Sequence, residues 1–218
     1  MKKTLRNLLL CTAACAAALS SLTGCVPVAA VGVGAGVLVF SDRRPTETFV
    51  ADEAIEARAA NRINEKYGDR VHVNVISYNR AVLLTGEAPN DAVKAEIEKI
   101  VTGVPNVRAI TNELLVAGPS SFGSRSNDAY LTSKVKARFL DANKFSPNHV
   151  KVVTEAGTVY LLGIVTQREA DDAVEIARTT GGVQKVVRVF DIISEDEAKR
   201  IDNRPAPADK NGKTAPQQ

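Results

Sequence analysis

From Asp52 onward, apolar residues recur with two alternating periods. Ile55, Ala59 and Ile63 stand four apart, on one face of a helix that Asp52 is placed to cap and Gly68 to end. Val71, Val73 and Val75 then alternate with His72 and Asn74, the period of a strand with one buried face. Tyr78-Asn79-Arg80 reads as a turn, and Ala81 to Thr85 as a second strand stopped at Gly86. Pro89-Asn90-Asp91 opens another helix carrying Val93, Ile97 and Ile100 as far as Gly103, and Val107 to Val116 forms a third strand. The predicted order is helix, strand, strand, helix, strand.

After Ala117–Asn127 (AGPSSFGSRSN), a linker by composition, the pattern returns. Asp128, Leu131, Val135, Arg138 and Phe139 stand 76 residues after Asp52, Ile55, Ala59, Arg62 and Ile63. His149, Val150 and Val152 follow His72, Val73 and Val75 at 77, and Val159–Gly163 follows Val82–Gly86 at the same offset. Val183 and Val186 follow Val104 and Val107 at 79. A register that holds within three residues through five elements marks a duplication. Each copy is near the lower size for an independent core. A right-handed crossover and one apolar stripe per helix predict an α+β unit, with two helices on one face of a three-stranded mixed sheet.

The N-terminus has a different character. Lys2, Lys3 and Arg6, an apolar run from Leu8 to Leu22 and small residues before a cysteine have the layout of a secretory signal, too short for a conventional membrane span. Leu22-Thr23-Gly24-Cys25 resembles the bacterial lipobox, which implies cleavage before Cys25 and acylation of its sulfur and new amine. Val26 to Phe40 is uncharged and Gly-rich. It reads equally as an apolar leader at the lipid interface or as a flexible tether. Cys11 and Cys15 would leave with the signal and Cys25 would be blocked, so no thiol remains for a disulfide, a metal or nucleophilic catalysis. Of 28 basic residues three lie in the signal, leaving 25 against 25 acidic ones, a balance that disfavours nucleic acid. The last stretch, EDEAKRIDNRPAPADKNGKTAPQQ, has little to bury and reads as a disordered tail.

The duplicated unit, with its VxLxG strand end (Val82–Gly86, Val159–Gly163) and GVxxV turn (Gly103–Val107, Gly182–Val186), resembles the BON domain. Two copies behind a lipobox resemble the dual-BON outer-membrane lipoproteins of Gram-negative bacteria. The resemblance implies a lipid-anchored protein on the periplasmic face of the outer membrane that binds phospholipid and supports envelope integrity. Val26 rather than Asp after the cysteine agrees with outer-membrane sorting in enterobacteria-like systems. The expected organisation is a signal peptide over 1–24, a lipidated leader and tether over 25–50, BON domains over 51–117 and 127–194 joined by a linker over 118–126, and a tail over 195–218.

The expected protein is not an enzyme. His72 and His149, the only histidines, occupy equivalent strand positions in separate copies, which argues against a shared metal site and for structural roles. Asp171-Asp172 are adjacent on a helix and do not converge. No nucleophile, base and orienting group can be assembled, so catalytic residues, metals, small-molecule substrates and cofactors other than the lipid on Cys25 are not expected.

At 100° per residue, Leu131, Val135, Phe139 and Ala142 face the core of the second copy, and Tyr130, Ser133, Ala137 and Leu140 face outward. Lys134 and Lys136 flank that strip. Apolar groups edged by lysines suit an anionic phospholipid surface. The first copy has Ala54, Ala57, Asn61 and Asn64 there, so only the second carries the strip. Arg62 and Arg138 recur near the core edge and read as structural. Two competing expectations remain: Tyr130 and Leu140 pack on the other domain or the linker, or they meet an envelope assembly protein in an adaptor.

Overall fold

The computed structural model describes residues 42–204. The signal stretch, Cys25, the leader to Phe40 and the end of the tail lie outside the described residues. In the first repeat, helix α1 (Thr46–Tyr67) buries Thr48, Asp52, Ile55, Ala59, Ile63 and Tyr67 at spacings of three and four, one continuous stripe. Strand β1 (His72–Tyr78) pairs antiparallel with β2 (Ala81–Ala88). Helix α2 (Asp91–Thr102), capped by Asn90 through a bond from the Val93 amide, crosses over to the parallel strands β3 (Ala109–Asn112) and β4 (Leu115–Val116). The third strand expected over Val107–Val116 is thus broken. At the break the Glu113 amide donates to Leu84 O, and Leu114 turns into the core.

The second repeat has the same order: α3 (Phe122–Ala142), β5 (Lys151–Glu155), β6 (Thr158–Thr166), α4 (Gln167–Arg178) and β7 (Lys185–Ile193). Here the third strand runs unbroken beside β6 for nine residue pairs, and a capping box of Thr166 and Glu169 starts α4. Each sheet carries both of its helices on one face, as expected for α+β units.

Asp52 does not cap α1. It lies inside the helix, buried, and binds the β1–β2 turn: its carboxylate accepts from the Ser77 hydroxyl (2.7 Å) and from the amides of Asn79 (2.9 Å) and Arg80 (2.7 Å). Asp128 does the same in the second repeat, accepting from the amides of Ala156 and Gly157, both at 2.9 Å. Both turns have two successive residues at positive φ, the tight hairpin geometry that matches strand twist. The recurring aspartate therefore ties helix to hairpin. The recurring glycines also have a steric reason: a Cβ on Gly86 would lie 2.1 Å from His72 O, and one on Gly163 would lie 2.3 Å from His149 O.

Order extends beyond the predicted elements in three places. Helix α1 begins at Thr46, inside the stretch read as tether, and α3 begins at Phe122, inside the linker, with the Ser121 hydroxyl accepting from Ser124 N. The tail begins with a helix, α5 (Glu195–Asp202), capped by Ser194 and burying Ala198. Its last residue meets Arg43. That guanidinium binds both oxygens of Glu169 (2.6 and 3.0 Å), both of Asp202 (2.9 and 2.8 Å) and Ile164 O (3.0 Å). Five charge-assisted or carbonyl bonds leave no donor idle, which is why an arginine can be buried here.

The central strands β2 and β6 are buried along nearly their whole length. Val82, Leu84 and Ala88 face the first repeat's helices, while Val159, Leu161 and Val165 face those of the second. The opposite faces meet: Ile76, Tyr78 and Leu83 pack with Tyr160, Leu162 and Ile164 in a third core, edged by Val153, Val187, Val189 and Ile193. Helices, sheet, sheet and helices thus form four layers. Polar bonds rim the seam, among them Asn79 Nδ2 to Asp191 (2.8 Å), Arg108 to Asp191 (2.7 and 2.8 Å) and Lys151 to Glu56 (3.3 Å). Among the described residues no helix is long and apolar enough to cross a membrane.

Candidate functional site

Because Leu131, Val135 and Phe139 point α3 into its own core, the opposite face of that helix is turned outward. Tyr130 is 62% exposed and Leu140 66%, with Ser133, Lys136 and Ala137 exposed between them. Neither aromatic nor leucine is covered by the first repeat or by Phe122, itself 81% exposed. The two lysines differ. Lys134 is half-buried, donates to Gly181 O (2.9 Å) and sits 5.9 Å from the Tyr130 ring centre, whereas Lys136 borders a groove. Ser133 turns its hydroxyl back to Ala129 O (3.0 Å).

The groove, about 460 Å³, lies between the repeats. Lys136, Leu140 and Lys151 line it on one side, with Arg44, Phe49 and Tyr78 on the other. Arg44 stacks over the rings of Tyr78 (4.1 Å) and Phe49 (5.0 Å) and is held by Asp42 and Asp52. Phe49 and Val50, 46% and 61% exposed, add apolar surface that the sequence reading did not include. Placing the helix start at Asp52 kept them off any helical face. The Thr48-Phe49-Val50 run beside buried Asp52 was the available signal.

Arg62 and Arg138 are structural, as their shared position implied. Arg62 donates to Gly103 O (2.8 Å), and Arg138 to Ile176 O and Thr180 Oγ1 (both 2.7 Å), so each closes the C-terminal end of the second helix of its repeat. His72 and His149 do not approach a common ligand. Each lies in its own cluster of carboxylates.

A doubled helix-strand-strand-helix-strand unit of this kind defines a class, and the BON domain matches residues 51–118 and 127–194. The chain belongs to the BON domain family, with two copies in tandem. It is 37% identical over 171 residues to the outer membrane lipoprotein DolP of Haemophilus influenzae, covering 78% of this chain and 89% of that one. It is also 32% identical over 154 residues to the 21 kDa hemolysin of Actinobacillus pleuropneumoniae, covering 70% and 79%. Against the osmotically-inducible protein Y of Escherichia coli the identity is 31% over 156 residues, covering 70% and 78%.

Proposed function

We propose that this protein is an outer-membrane lipoprotein, acylated at Cys25 and facing the periplasm, whose second BON domain binds anionic phospholipid through α3 and supports envelope integrity. The carrying observation is the exposure of Tyr130 and Leu140 on a face edged by exposed Lys136 and half-buried Lys134. The similarity to a lipoprotein named for the outer membrane supports the compartment, and the lipobox supports the anchor. Entry of Leu140 into the acyl boundary contributes at most about 1.5–3 kcal/mol, and each nearby lysine about 1 kcal/mol at an anionic surface. Such a face binds weakly alone. The lipid at Cys25 raises its effective concentration and makes the contact frequent.

Leu140→Glu in the purified protein is expected to lower binding to phosphatidylglycerol vesicles severalfold while leaving the melting temperature unchanged. Unaltered vesicle binding would remove the face. Photocrosslinking from position 140 in cells separates the adaptor reading, in which a single protein adduct replaces lipid adducts.

A further inference from the structure

His72 opens β1, whereas His149 lies not in a strand, as expected, but at the end of the 3-10 turn before β5, and each lies beside two carboxylates. His149 has Glu169 Oε1 at 3.5 Å from Nδ1 and Asp202 Oδ1 at 3.8 Å from Nε2, and the cation joining those carboxylates is the Arg43 guanidinium. His72 Nδ1 lies 2.8 Å from Glu87 Oε2, its cross-strand partner, and the second carboxylate comes from the other repeat, Glu155 at the end of β5. One ligand atom from each of His72, Glu87 and Glu155 lies within 4.8 Å of the other two. Glu87 and Glu155 are only 4% and 6% exposed. Among the described residues neither forms an ion pair with an arginine or lysine. Glu155 is held only by neutral donors, Asn74 Nδ2 at 2.7 Å and Thr85 Oγ1 at 3.4 Å, both on Oε2. Two buried carboxylates thus face one imidazole with no arginine or lysine joining them, whereas Arg43 joins the two carboxylates of the sister cluster.

We propose that His72, Glu87 and Glu155 bind a divalent transition-metal ion, with Zn²⁺ the best match, at the seam between the repeats. One imidazole nitrogen with two carboxylate oxygens is a zinc-type donor set, whereas Ca²⁺ and Mg²⁺ take oxygen ligands in larger number. Metal–ligand bonds of about 2.0–2.2 Å around a tetrahedron put ligand atoms roughly 3.3 Å apart, within reach of the present spacing by side-chain rotation. His72 and Glu155 line a groove of about 350 Å³ together with Arg125, Asp128, Thr132 and Thr154, which gives a water access to the fourth position. Since His72 and Glu87 belong to one repeat and Glu155 to the other, the ion is a clamp between domains.

The test uses the full chain purified in detergent, stripped with EDTA and titrated with ZnCl₂ by calorimetry and thermal melting. One Zn²⁺ per chain is expected, with a melting temperature raised by at least about 5 °C at a hundredfold excess over Kd. Glu155→Gln, which preserves volume, and His72→Asn should each weaken binding at least about tenfold. The absence of saturable Zn²⁺ binding in the unmodified chain would overturn the proposal without reference to any variant. So would Zn²⁺ binding unchanged in both variants, or an equal rise with MgCl₂.

Discussion

Arg43 gathers more polar contacts than any other side chain described above, and the sequence offers no local sign of it. Its partners Glu169 and Asp202 lie more than a hundred residues away, so only the fold brings them together. Burial alone would push the Glu169 carboxyl up, but His149, Arg43 and the Thr166 amide together hold it at about 2 against an ordinary 4.5. Asp202 is shifted the same way, Arg43 being the main cause. A carboxyl depressed in the folded state stabilises fully above about pH 4.5, and that contribution is lost as pH falls through 2. Melting temperature is therefore expected to drop across that window. Arg43→Ala should cost about 3–5 kcal/mol at neutral pH and flatten the acid dependence, as denaturant titrations at pH 7 and pH 3 would report. The repeated aspartates teach a related lesson. Their recurrence at 52 and 128 was visible, but a helix side chain that binds a hairpin turn looks, in one dimension, like a cap.

At the level of elements, periodicity located both helices and the hairpin strands of each repeat, because each has a face in a core, but it read β3 and β4 as one strand. It failed where a segment is short or charged. Glu195–Asp202 has the composition of a solvated tail, yet Ala198 is buried and Asp202 pairs with Arg43, so one small residue and one ion pair hold a helix that hydrophobic content does not announce. Truncation after Ser194 is expected to lower the melting temperature, and in the Arg43→Ala background to lower it less, since the two changes break one contact. A melt of the four proteins checks this; equal losses in both backgrounds would separate α5 from Arg43. The exposed strip on α3 is legible from a wheel comparison of the repeats. Phe49 and Val50 are not, because they belong to a turn of helix added before the recognised start.

Across the whole molecule, the unread feature was the second buried face of each sheet. The runs Val82-Leu83-Leu84 and Val159-Tyr160-Leu161-Leu162 do not alternate, and such continuity is the mark of a strand buried on both sides. Alternation at the start of β1 implies one buried face, whereas its end, Ile76-Ser77-Tyr78, is buried on both. With Leu83, Tyr160 and Leu162 forming a shared core, the repeats are expected to unfold together. Calorimetry should show a single transition whose calorimetric and van't Hoff enthalpies agree, and Leu162→Asp should lower stability of both repeats. Two separate transitions would contradict the shared core.

The seam also bears on how the two repeats can diverge. Each repeat offers the sheet side away from its helices, but through different strands: Ile76, Tyr78 and Leu83 come from β1 and β2, whereas Tyr160, Leu162, Ile164, Val187 and Val189 come from β6 and β7, so the contact is only partly symmetric. A solenoid unit keeps a neighbour face on either side, whereas here one sheet face of each repeat is taken up by the other. Packing those sheet faces together leaves the helical layers on the outside of the pair. Those outer layers can differ without disturbing the seam: α3 carries exposed Tyr130 and Leu140 where α1 has Ala54 and Asn64.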